Sequence, residues 1–271
     1  MTLTAALAAQ LAPAPGGPQP QAPVKRPPQA KTNAEFADYN AAYAVTGGAA
    51  AEKAANDFAA KYPDSELRSF LYSKAMHEYQ SENNSGKMLA MGQKILALDP
   101  DNSVALVLTA TVLSDSLGDT DQDRQQKIAE IKKNANLALQ TVDASFTPPA
   151  GATPEQIAGY KNTLRSMAYS ALGITDLKSG DDAAAEKELR SAADLGKSQP
   201  DPYVWYHLAL SQDHQNKYAE ALASVEQALR YSQPDSELAK LAAGERERLQ
   251  KLASPAPGGQ PPPANNSQPP R

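Results

Sequence analysis

Between residues 32 and 253 apolar residues recur at spacings of three and four rather than two. That is the period of a helix surface, not of a strand. The intervening positions are filled by Ala, Leu, Glu, Lys and Gln, which all favour helix. The longest apolar run, Val104 to Leu113, has ten residues. It falls short of the ~18 needed to span a bilayer and predicts a buried helix. No stretch joins β-branched runs to hairpin turns, so no sheet is expected. Helix starts are marked along the chain. Thr153-Pro154-Glu155-Gln156 combines a capping hydroxyl, proline at the first helical position and Gln at the third, a capping box. Asp201-Pro202 repeats the cap-then-proline signal, and Asp235 after Pro234 is expected to open a final helix. Gly196 after Asp194-Leu195 stands where a left-handed helix end would sit.

The helical pattern repeats. At a shift of 36 residues, Tyr169, Leu172, Gly173, Ala185, Leu189 and Ala192 recur as Trp205, Leu208, Ala209, Ala221, Val225 and Ala228. Each pair matches in kind: large aromatic, Leu, tiny residue, then after a turn Ala, aliphatic, Ala. Two antiparallel helices approach closely only where small residues face each other, while the aromatic and Leu fill the space toward the next pair. Earlier segments fit the scheme more loosely. Phe36, Tyr39, Asn40 and Tyr43 supply one first helix, with Ala51, Phe58 and Pro63 in its second. Tyr72, Tyr79 and Pro100 supply the next unit, whose second helix departs from the pattern at Met88 and Gly92.

These residues resemble the tetratricopeptide repeat family, whose pattern is W-x2-L-G-x2-Y in a first helix and A-x3-F followed by Pro in a second. The matching positions are Trp205-x2-Leu208-Ala209 with Ala221-x3-Val225, and Tyr169-x2-Leu172-Gly173 with Ala185-x3-Leu189. The aromatic ending the first motif is replaced by Asp176 and Gln212, and Pro200 and Pro234 come late. The resemblance implies an all-α, right-handed superhelical solenoid of antiparallel helix hairpins. Its units are expected at about 33–65, 66–102, 154–200 and 201–234, around a degenerate unit at 103–141 carrying an insertion. Residues 142–152 would form an extra loop. A capping helix at 236–252 would turn Leu238, Leu241, Leu249 and Leu252 inward and Glu245-Arg246-Glu247-Arg248 to water.

Composition changes the picture at the ends. Of 22 prolines, seven lie in residues 1–30 and seven in 254–271, so both ends read as extended, disordered spacer rather than packed structure. Residues 1–31 divide into an Ala-rich start and a Pro-rich linker. Residues 1–12 are apolar and end in small residues, like the back half of a secretory signal, but lack a basic start. A signal remnant would place the protein in the periplasm or outside the cell, as a bacterial exported repeat protein. An ordinary Ala-rich end would leave it cytoplasmic. The net charge of −5 becomes −9 over 32–253, which disfavours nucleic acid as a partner. With no cysteine, disulfides, thiol nucleophiles and cysteine–zinc clusters are excluded.

Candidate chemistry is sparse. Gly196-Lys197-Ser198 ends like a phosphate loop, but Ser191 stands where its first Gly is needed, and a helix end explains the glycine better. Asp119, Asp121, Asp123 and Glu130 occupy calcium-loop positions of an EF-hand-like segment at 119–130. Arg124 replaces the turn glycine and Lys127 adds a second positive charge, so a solvated acidic helix start accounts for the same residues. His77, His207 and His214 lack metal-ligand spacing. No cofactor, metal site or catalytic motif is expected, and the protein is read as a non-enzyme.

What remains is the groove that the resemblance implies along the first helices. Its ligand-facing positions carry over as Phe70, Ser73 and His77, then Met167, Ser170 and Ile174, then Tyr203, Tyr206 and Leu210. Each could instead simply pack on its neighbour helix. Tyr203 and Tyr206 offer the most contact area with a hydroxyl at modest entropy cost. The expected function is a non-catalytic scaffold or adaptor that binds a protein or peptide segment in the groove. The alternative is a structural, envelope-associated spacer with no groove ligand, its 19-residue arm reaching ~60 Å. Self-association fits either reading.

Overall fold

The computed structural model describes residues 28–146 and 151–253. The signal-like residues 1–12 and nearly all of both Pro-rich ends lie outside the described residues. The described residues form eleven helices and no strand: α1 (Asn33–Tyr43), α2 (Gly48–Lys61), α3 (Arg68–Ser81), α4 (Ser85–Leu98), α5 (Ser103–Ser116), α6 (Arg124–Ser145), α7 (Pro154–Lys178), α8 (Asp182–Leu195), α9 (Pro202–His214), α10 (Tyr218–Tyr231) and α11 (Glu237–Ala253). Each helix packs on the next in order. Odd-numbered helices also touch one another, α1 with α3, α5 with α7, α7 with α9 and α9 with α11. The result is an α-solenoid of five hairpins closed by α11. None of these helices is long and apolar enough to cross a membrane.

The core runs the length of the stack as four successive clusters. Their joints are filled by the large residues of the repeat. Met167 packs against the first and second clusters, Tyr169 against the second and third, and Trp205 against the third and fourth. The small residues do what the 36-residue pattern predicts, since Ala185, Ala192, Ala209, Ala221 and Ala228 are fully buried. At Gly173 a Cβ would stand 2.6 Å from Leu189 Cγ, so only glycine lets α7 approach α8 this closely.

The turns carry the same register. Gly47, Asn83, Gly180 and Asn216 all have positive φ, at 85°, 54°, 80° and 59°. They lie 36 residues apart within each half of the chain. Left-handed backbone at a helix exit selects Gly or Asn. At three of these turns the closing hydrogen bond also repeats: Asn84 to Tyr79 O, Asp181 to Asp176 O and Lys217 to Gln212 O.

Those three acceptors are the positions where the motif's second aromatic is either kept or lost. Each joins its hairpin to the previous one. Tyr79 Oη donates to Glu52 at 2.7 Å. Asp176 pairs with Lys132 at 2.8 Å. Gln212, fully buried, contacts Ser224 Oγ at 2.7 Å, and in the amide orientation that satisfies both its ends it also accepts from Arg190 at 2.9 Å. Arg190 is in turn bound to Glu186 at 2.7 Å. Glu52, Lys132 and Glu186 each follow a buried small or apolar residue on the second helix's inner face, Ala51, Ile131 and Ala185. The missing aromatics are therefore replaced by polar locks at one equivalent position of the repeat geometry.

Several expectations are corrected. The loop expected at 142–152 begins later, because Val142 is buried in the second cluster and holds α6 helical to Ser145. Asp235 does not open the last helix. It takes φ 61°, and Ser236 Oγ accepts from Ala239 N–H instead. On α11 the inner face is Leu238, Ala242 and Leu249, while Leu241 is exposed. Glu245 and Arg248, expected to face water, turn inward: Arg248 binds both Glu245 and the buried Asp213 of α9. Gly196 ends α8 with φ −81°, not left-handed. It is small because its Cβ would crowd Ser166 Oγ and Ala192 O, each at 3.2 Å. The capping box at Thr153 forms with both of its bonds.

Candidate functional site

The odd-numbered helices line two clefts. The first, of about 220 Å³, lies among α1, α3, the start of α5 and the end of α6, with walls that include Tyr43, Phe70, Ser73, His77, Asn102 and Phe146. The second, of about 260 Å³, lies among α5, α7 and α9, with Thr111, Ser166, Met167, Ser170, Gln199 and Val204 in its walls. Both are built from aromatic or aliphatic surface interspersed with hydroxyls and amides, with Lys74 and Asp99 also in the wall of the first and Asp201 in that of the second. Ser145 Oγ in the first and Thr111 Oγ1 in the second are buried with no hydrogen-bond partner among the described residues. Such a group costs about 1–3 kcal/mol when left unmet.

The nine groove positions divide accordingly. Phe70, Ser73 and His77 meet in the first cleft, and Met167 and Ser170 in the second. Ile174 is 6% exposed, its side chain within the third core cluster beside Leu177 and Leu208. Tyr203 is 57% exposed at the start of α9, where the Asp201 cap accepts its N–H at 2.8 Å. Tyr206 is half-buried against the fourth cluster and Leu210 against the third. Tyr43, the aromatic that closes the first unit's first-helix motif, also lines the first cleft, whereas the wall contributions of Asn102, Phe146 and Gln199 were not visible in the motif. They come from helix ends and loops that the repeat pattern does not index.

The charged groups on this face are largely tied down. Lys178 Nζ donates to the carbonyls of Ser114 and Asp115 at 2.8 Å each, closing the end of α5. Burial pushes Lys178 below its ordinary pKa and Asp115 above its own. Burial also pushes His207 down, against a hydrogen bond to Tyr203 O at 2.8 Å that favours its proton. In the first cleft Lys74 is paired with Glu78. The face accordingly offers contact area and neutral hydrogen-bonding groups rather than a cluster of free charge.

The calcium-loop reading is not supported by the geometry. Asp121 is held by Lys127 at 2.9 Å and by Gly118 N–H at 3.0 Å. Asp123 pairs with Lys127 at 3.2 Å and Asp119 with Arg124 at 3.5 Å. The two cations that break the calcium motif in sequence are the ones that take its aspartates. Among the described residues no three acidic or imidazole groups converge as metal ligands.

No family model matches this chain, and no curated protein matches it. Among solved structures it is similar to a thermophilic TPR protein of Thermus thermophilus, with 14% identity and a TM-score of 0.48, over 78% of this chain and 98% of that one.

Proposed function

We propose that this protein is a non-catalytic scaffold that binds an extended peptide segment of a partner protein along the face of its odd-numbered helices. The observation that carries the reading is the pair of clefts along the odd-numbered helices, both lined mainly by hydroxyls and amides between apolar walls, with few charged groups. An extended peptide presents unpaired backbone N–H and C=O groups at every residue. Ser, Thr, Asn and Gln side chains can both donate to and accept from them. The buried unpartnered hydroxyls of Thr111 and Ser145 would gain partners from such a backbone. Exposed Tyr203 beside the second cleft supplies the kind of anchor that dominates binding energy at peptide interfaces. The tetratricopeptide resemblance agrees with this reading. The pairing of Lys74 and Lys178 with groups of the chain itself disfavours a carboxylate-clamping mode.

The test uses the full chain as bait, beside Tyr203→Ala combined with Gln199→Ala. Both residues are exposed, so the variant should keep the wild-type thermal midpoint. A prey captured by wild type and lost with the variant supports the reading. A prey retained equally by both, or none, would shift the assignment to a spacer role.

A further inference from the structure

We propose that the outer face of α1 is the interface of a weak homodimer, in which two copies of this chain meet with their α1 helices antiparallel. This contact does not depend on peptide binding. Of the residues involved, only Tyr43 also lines one of the two clefts.

The two ends of the stack are finished differently. A terminal repeat ordinarily turns a polar face to water. The last helix does so, since Glu237, Lys240, Glu247 and Lys251 stand exposed around Leu241 on α11. The first helix does not. The exposed residues of α1 are Phe36, Tyr43, Asn33, Asn40 and three alanines, with no charge among them, although residues 32–253 carry −9. Phe36 is 54% exposed and Tyr43 47%. The described chain leading into α1 turns toward α3 and the inner side of α1, where Gln29 N–H donates to Glu66 at 3.3 Å and Lys31 N–H to the buried Glu35 at 2.7 Å.

The arrangement of this face is self-complementary. At about 100° per residue, Phe36 and Tyr43 fall on one edge, Ala37 and Ala41 on the other, and Asn40 between them. A two-fold axis that sets two helices antiparallel brings like edge to like edge, and wherever residue i meets j, j also meets i. Centred beside Asn40, it places Phe36 of each copy against Tyr43 of the other, because the two rings lie two turns apart. The alanine edges then let the backbones approach, as the alanines inside the stack do. Asn40 meets its own mate near the axis, where an amide can both donate and accept.

The charges permit the same pairing. Beside the alanine edge, Ala41 shares a shallow hollow between α1 and α2 with Asp38, Asp57 and Lys61. Both acids there are already paired within the chain, Asp38 with Lys61 and Asp57 with Lys53, at 2.5 Å each. Two acidic chains can therefore meet at α1 without bringing unpaired like charges together, and a partner of opposite charge finds no charge on this face to read. Four half-exposed rings and a row of alanines cover less than the ~1,200 Å² of a standard interface, which makes the dimer weak and concentration-dependent.

Sedimentation equilibrium of the full chain should show the weight-average mass rising from 28.7 kDa toward twice that value, over protein concentrations from about 10 μM to about 1 mM. Phe36→Glu, at an exposed position, should keep the wild-type thermal midpoint and hold the mass at the monomer value. The chain has no cysteine, so Asn40→Cys, which keeps both rings, gives a single thiol near the axis. In a glutathione redox buffer it should form a disulfide-linked dimer about tenfold faster than Leu241→Cys, at an exposed position on α11. Adding Phe36→Glu should abolish that advantage. A monomer at every concentration would overturn the proposal, as would equal rates for the two thiols. Association that Phe36→Glu leaves unchanged would also overturn it, placing the contact between copies on another face.

Discussion

The Glu52–Tyr79 junction near the N-terminus and the Glu186–Gln212 junction near the C-terminus occupy the same place in the repeat, yet they use different chemistry. In the first, a buried phenol donates to one carboxylate, with Lys87 at 2.9 Å beside it. In the second, one carboxylate collects Arg190 at 2.7 Å, Lys217 at 2.6 Å and Gln215 at 3.0 Å, while Gln212 fills the space of the ring. The aromatic contributes apolar area and needs a single polar partner. The polar version has less apolar area and gains several charge-assisted bonds instead. A repeat position therefore specifies a contact between consecutive hairpins, and residue type is free to vary as long as the contact is satisfied.

The largest effect should come from removing the hub of the polar version. Glu186→Ala is expected to cost about 2–3 kcal/mol, because it removes charge-assisted hydrogen bonds from Arg190, Lys217 and Gln215 together, even though the two cations are about half exposed. Glu52→Ala should cost less, because among the described residues Glu52 accepts hydrogen bonds from Tyr79 and Lys87 alone, whereas Glu186 accepts from Arg190, Lys217 and Gln215. Urea unfolding measures both. Hydrogen exchange sharpens the comparison, since stacked hairpins loosen locally. Glu186→Ala should speed exchange in α8–α10 and leave α2–α4 unchanged. Equal loosening of both ends would mean that the junctions are not separate units.

Acid should separate the two junctions next. Burial alone would raise the Glu186 carboxyl, but hydrogen bonds from Lys217 and Arg190 outweigh it and hold its pKa at about 2, against an ordinary 4.5. A carboxyl whose folded pKa is depressed stabilises the fold above its unfolded pKa. That stabilisation is lost as pH falls from about 4.5 through about 2. Wild type should lose stability across that window, and Glu186→Gln should show a shallower loss. Glu52 is also depressed, chiefly by its bond from Lys87, so some slope should remain in the variant. An unchanged slope would remove Glu186 from its role as hub.

Tyr79→Phe deletes only the hydroxyl of the aromatic version. The ring stays packed and Glu52 keeps Lys87, so the expected cost is about 1 kcal/mol by urea unfolding. A cost equal to that of Glu186→Ala would erase the distinction between the junctions.

The helices and their stacking were legible in the sequence because the 36-residue register is written in residues with no alternative use. A buried Ala or Gly between two helices has one role, and Gly173 against Leu189 fulfils it. The locks were not legible. Glu, Lys and Gln on a helix look the same whether they face water or a neighbour, so Glu245 and Arg248 read as solvent-facing although Arg248 grips Asp213 and Glu245 holds Arg248. The missing aromatics at 176 and 212 were visible as departures, but their partners lie 44 and 22 residues earlier in the chain, at Lys132 and Arg190. Of the groove, the positions on helix faces could be read by register. Asn102, Phe146 and Gln199 could not, because they come from segments where the register lapses.

The smallest effect concerns the middle junction, where the signs are reversed. Lys132 now sits on the second helix and Asp176 in the position of the aromatic, 2.8 Å apart, with side chains 47% and 9% exposed. A half-exposed lysine has water as an alternative partner, which limits the pair to about 0.5–1 kcal/mol. A double-mutant cycle with Lys132→Met and Asp176→Asn isolates that term from the separate cost of altering a buried carboxylate. A coupling in this range places the middle junction below both outer ones, consistent with a position that requires a contact but sets neither its sign nor its strength. A coupling near zero would mean that α6 and α7 are joined by packing alone. The polar lock would then be a property of the two ends of the stack, where Glu follows the buried alanine, and not of the repeat.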